Sequence, residues 1–233
     1  MKKFLKIISG LILVGILALV LFAWSANEKL PEGQKGLEAD ELAHKMLKAL
    51  NHDAYQNTRF LEWSYRGGSN QYLWDKKKSR VLVKWDNISV DLSLTHPKNS
   101  KVTQNSTPVT TDKKQDFIDK ALKNFNNDSF WLVAPYKVFD EGTERSTVDL
   151  ENGTKGLLVT YNSGGTTPGD SYLWILNENS FPISYKMWVG IIPIGGLEAS
   201  WEEWLITKSG AYLPKSHKLG PVTLGMGDVK GYN

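Results

Sequence analysis

The chain has 233 residues, 41 % of them hydrophobic and none of them cysteine. That length holds one domain with a sizeable core, and the missing thiols exclude disulfides, a cysteine nucleophile, thiolate metal ligands and the lipid-bearing cysteine of a bacterial lipoprotein. The formal charge of +3 resides in Lys2, Lys3 and Lys6; beyond them 25 basic residues balance 25 acidic ones, which argues against a nucleic-acid partner, whose phosphates demand a positive surface.

Ile7 to Trp24 carries no charge, and as a helix it would rise about 27 Å, close to the hydrocarbon thickness of a bilayer. Ala23 and Ser25 are also small residues at acceptable cleavage positions. Residues 1–25 are therefore expected to be a signal or membrane-anchor segment, with the lysines in the cytoplasm. The rest is exported, held at the inner membrane facing the periplasm, or periplasmic if the segment is cleaved. Residues 26–36, with Pro31, Gly33 and Gly36, read as a polar tether. Residues 37–233 read as a single domain.

Within it, Asp40 is placed to cap a helix carrying Leu42, Ala43, Met46, Leu47 and Leu50 on one face. Leu61, Trp63 and Tyr65 then alternate before Gly67-Gly68-Ser69-Asn70, and Tyr72 and Trp74 resume on a returning strand. Val81, Val83 and Trp85 pair likewise with Ile88, Val90, Leu92 and Leu94 around Asp86-Asn87. The polar stretch from Pro97 to Pro108 reads as a loop or short edge strand. Asp112 and Gln115 have the spacing of a capping box, ahead of a second helix with Phe117, Ile118, Ala121, Leu122 and Phe125 in one stripe. Further strands are predicted over Ser146 to Leu150, Gly156 to Tyr161, Ser171 to Asn177, Pro182 to Val189, Leu197 to Thr207, Ala211 to Leu219 and Val222 to Val229. The expected class is α+β: one large curved antiparallel sheet of about ten or eleven strands, a half-open barrel, wrapped around two amphipathic helices.

The stretch GGTTPGDSYLWIL, Gly164 to Leu176, resembles a phosphate loop at first sight. It lacks the lysine and the glycine spacing such loops need, and a strand-like run follows it, so it reads as a hairpin turn. His44, His52, His96 and His217 are too far apart in sequence to make a local metal motif, and neither a G-x-S-x-G elbow nor any cofactor fingerprint is present. Glu202 and Glu203, adjacent in a predicted strand, face opposite ways, as do Trp201 and Trp204. No catalytic residue, metal or cofactor is expected.

Phe130-Trp131-Leu132-Val133-Ala134-Pro135-Tyr136-Lys137 and Thr167-Pro168-Gly169-Asp170-Ser171-Tyr172 resemble the FWLxxP(F/Y)K and TPGDxY signatures of a family of exported bacterial domains of unknown function. The similarity spans Leu37 to Leu213. It implies the fold of the LolA and LppX type of lipoprotein carrier, in which an unclosed barrel covers helices and holds acyl chains. The chain departs from the lipoproteins of this kind in lacking the lipidated cysteine, so outer-membrane placement does not carry over. The expected function is a non-catalytic binding or carrier domain for a lipid or other hydrophobic molecule, anchored to the membrane through its amino terminus. Trp63, Trp74, Trp85, Tyr172, Trp174, Tyr185 and Trp201, at alternating strand positions, are the candidate cavity lining. The alternative is a structural or interaction module with a filled core that meets an envelope protein partner.

Overall fold

The structure, a computed structural model, describes residues 27–164 and 166–233; the expected anchor or signal at 1–25 lies outside them. Among the described residues no helix is long and apolar enough to cross a membrane. The chain forms β1 (Gln34–Lys35), α1 (Leu37–Ala49) and α2 (His52–Asn57), then the meander β2 (Phe60–Tyr65), β3 (Asn70–Asp75), β4 (Arg80–Trp85) and β5 (Ile88–Ser93). Two short edge strands follow, β6 (Lys101–Gln104) and β7 (Thr107–Pro108), and then the long helix α3 (Lys113–Val133). The remainder is β8 (Thr143–Asp149), β9 (Lys155–Tyr161), β10 (Ser171–Leu176), β11 (Pro182–Trp188), β12 (Leu197–Ser200), β13 (Glu203–Ile206), β14 (Tyr212–Leu219), β15 (Val222–Gly225) and β16 (Lys230–Tyr232).

The fold is α+β and dominated by antiparallel sheet, in two sheets rather than one. Nine strands run β1-β8-β9-β10-β11-β12-β14-β13, with β15 also on β14, and seven run β16-β2-β3-β4-β5-β6-β7. Neither path closes on itself. The sheets meet where the Ser64 amide donates to the Met226 carbonyl at 3.0 Å and the Ser209 amide to the Gly231 carbonyl at 3.1 Å. One apolar core runs across both sheets and the helices between them.

The departures from the sequence reading have local causes. The predicted strand Leu197 to Thr207 breaks at Trp201-Glu202 into β12 and β13, and Val222 to Val229 gives β15 and then an irregular link to β16; with the short strands β1, β6 and β7 this makes sixteen strands among the described residues where ten or eleven are expected. The break also turns Trp201 and Trp204 toward each other, ring centroids 5.6 Å apart, where an unbroken strand would have parted them. Neither predicted cap forms. Helix α1 begins at Leu37, leaving Asp40 in its first turn to accept from Arg145 at 2.5 Å. Asp112 makes no side-chain cap, and Gln115 donates to Asp119 instead. Part of the stretch read as a tether is fastened down, with β1 paired to β8.

Polar pins hold α3 and its following turn in the core. The Asp128 carboxylate, 1 % exposed, accepts from Asn70 Nδ2 at 2.8 Å, Tyr72 Oη at 2.5 Å and Asn127 Nδ2 at 2.8 Å. His217, fully buried, sets its ring nitrogens 2.9 Å from the Ser200 carbonyl and 2.7 Å from the Trp131 carbonyl. Tyr136 stacks on Tyr55 with centroids 3.9 Å apart, its hydroxyl within reach of the Leu50 and Tyr212 carbonyls. Asp128→Ala strands three donors, two of them on β3, and is expected to lower the unfolding free energy by about 3 kcal/mol in a denaturant titration. Unchanged stability would show that Asp128 pins nothing.

Candidate functional site

Side chains at alternate positions of β9, β10 and β11 face inward, and three of them are tyrosines. Tyr161 and Tyr172 have ring centroids 5.8 Å apart, and Tyr172 and Tyr185 5.2 Å apart, so phenol rings cross three neighbouring strands in a row. Phe130 of α3 meets this row from below, 4.7 Å from Tyr172 and 5.4 Å from Tyr161. Beside them lies a cavity of about 970 Å³. Its walls are Met187 and Val189 on the sheet side, Phe125 and Trp131 on α3, and Tyr65 and Trp74 from the seven-stranded sheet.

Three polar atoms of residues around this wall have no hydrogen-bond partner, and all three are buried behind it: the hydroxyls of Tyr161 and Tyr185 and the indole N–H of Trp74. Burial pushes both phenols well above their usual range, so they remain neutral donors. An unmade hydrogen bond in an apolar place is costly. The aromatic and aliphatic part of the lining suits a molecule with a large apolar body. The charged residues of the lining are Arg66, Lys123, Glu141, Asp170 and the ion pair Lys137–Asp140.

Two loops frame one side of the opening. The first, residues 162–170, is the connection between β9 and β10, and the pairing of Ser171 with Thr160 makes the glycine-rich stretch a hairpin. The second spans 190–196. Asp170, 6 % exposed, joins them: one carboxylate oxygen accepts from the Gly190 amide at 2.9 Å and the other from the Thr167 hydroxyl at 2.5 Å. The two quoted motifs thus converge here, one supplying Phe130 and Trp131 and the other Asp170 and Tyr172.

Of the seven aromatic residues singled out by alternation, Trp74, Tyr172 and Tyr185 line the cavity. The other four are packed within the core. Trp63 stacks on Tyr72 at 4.5 Å, Trp85 lies against Phe117 and Lys120, and Trp174 and Trp201 meet edge to face at 5.1 Å. Alternation picks a strand face but not what covers it, which is why these four looked equivalent to the rest. Tyr161, Phe130 and Met187 were missed; Tyr161 carries the same signal as Tyr172, being the last inward residue of a predicted strand. Among the described residues no group of three or more histidines and carboxylates is disposed to hold a metal. Glu203 accepts from Ser216 at 2.6 Å.

No family model matches the chain, and no curated protein matches it. Asp170→Ala is expected to raise amide hydrogen exchange in both loops while the centre of β10 stays protected, because the carboxylate is their shared tie. Exchange unchanged in the 190–196 loop would contradict that role.

Proposed function

We propose that the chain is an extracytoplasmic, non-catalytic binding or carrier domain for a lipid or similar hydrophobic molecule, with the two sheets and α3 forming a half-barrel of the LolA-like kind. The observation that carries the reading is the aromatic-lined cavity of about 970 Å³. Sites for small-molecule ligands have volumes of roughly 300–1,000 Å³ and mostly apolar walls with a few polar groups. Each enclosed methylene contributes about 0.8 kcal/mol, so a chain of about a dozen carbons gains on the order of 10 kcal/mol before the cost of immobilising it. Burial alone drives such binding. The interaction-module alternative draws on the dense packing of Trp63, Trp85, Trp174 and Trp201, but a filled core leaves a cavity of this size without a role.

The test is binding of a fluorescent fatty acid to the full chain in nanodiscs. Met187→Trp adds bulk inside the cavity and is expected to weaken binding at least tenfold, roughly 1.4 kcal/mol. Failure of the unaltered chain to bind any apolar probe would end the carrier reading.

A further inference from the structure

We infer that the mouth of the cavity is held against the membrane surface, with the loop Gly190 to Gly196 as the contact. The inference rests on the carrier reading and on residues 7–24 as an uncleaved anchor, and it names the surface from which a ligand comes.

The carboxyl-terminal side of the apolar run is clamped to this loop. Asn27 Oδ1 accepts from the Gly195 amide at 2.7 Å, and the Glu28 amide donates to the Gly195 carbonyl at 2.9 Å. The Trp188 indole donates to the Glu28 carbonyl at 2.8 Å, and the Glu28 carboxylate pairs with Lys186 at 2.8 Å. The glycines make the fit possible. A Cβ on Gly195 would stand 2.6 Å from the Glu28 carbonyl oxygen and 2.4 Å from Trp188, and one on Gly196 would stand 2.6 Å from Glu28 Cβ. Three chain steps separate Trp24 from Asn27, a reach of at most about 11 Å. An anchored chain therefore brings the loop close to the bilayer.

The loop's chemistry matches that position. Its sequence, GIIPIGG, is uncharged. Ile192 lines the cavity, and its neighbour Ile191, which also borders it, is 69 % exposed, an apolar side chain that gains by leaving water for the acyl boundary. On the adjoining loop, Ser163, Thr166 and Thr167 are neutral and polar. The buried Asp170 carboxylate is taken up by Gly190 and Thr167. These two loops thus present apolar and neutral polar groups to a lipid headgroup region, and the charges of the lining at Arg66, Lys123, Glu141 and the Lys137–Asp140 pair lie outside them.

Because the chain has no cysteine, Ile191→Cys can be labelled alone with an environment-sensitive fluorophore in the full chain, reconstituted in phosphatidylcholine nanodiscs. Ile206→Cys, 64 % exposed, is the control; it lies beyond the other end of β11, where Trp204 reaches the Pro182 carbonyl. The label at 191 is expected to emit further to the blue and to be quenched by brominated lipid, and the label at 206 to do neither. Gly195→Val, which forces a side chain into Glu28, should reduce the quenching at 191. Equal exposure of both labels to water overturns the inference, as does a chain from host membranes that begins at Ala26. The readout needs no ligand, so a label in water overturns the docking alone, whereas an empty cavity overturns the carrier reading.

Discussion

Helix α3 rises about 32 Å over its length and is roughly 10 Å across with its side chains, yet the concave face above it is built from strands of two sheets. One helix of that width leaves part of such a face uncovered. On the side of β2 to β5 the deficit is closed by large rings, with Trp63 on Tyr72 and Trp74 edge-on to Phe125. On the side of β9 to β11 the tyrosine row meets Phe130 and Trp131 of α3, and the cavity opens there. Its existence follows from the ratio of sheet to helix more than from any single side chain.

The polar pins matter because of that deficit. Asp128, His217 and Tyr136 fix α3 and the turn after it against different strands, so the helix cannot slide to fill the space. Each is buried with partners on a distant segment, an arrangement that specifies position more than it adds stability. The loops at the opening are tied in the same manner, through Asp170.

The hairpins were legible because period-two alternation and turn residues agree. Asp86, predicted as a turn, holds φ 47° between β4 and β5, and Gly67 and Gly68 carry positive φ between β2 and β3. Both long helices were legible from their apolar stripes. Neither cap was, since Asp40 found Arg145, a residue far along the chain, and local spacing carries no information about such partners. The division into two sheets comes from the chain passing from β7 through α3 to β8 and from β15 to β16, connections whose strand partners local spacing does not specify. At the site, alternation identified inward aromatics, but separating Tyr172 and Tyr185 from Trp174 and Trp201 required knowing where α3 ends. The clamp of Asn27 and Glu28 on Gly195 joins segments far apart in sequence and left no local trace.

The central claim is that the space between α3 and the tyrosine row is a chamber for an apolar guest. Native mass spectrometry of the full chain, released gently from its own host's membranes, tests it most directly. The account predicts a fraction of the protein carrying the added mass of a lipid-like molecule that organic solvent removes. Repeated preparations at the bare polypeptide mass, with nothing recovered in the extract, would contradict it.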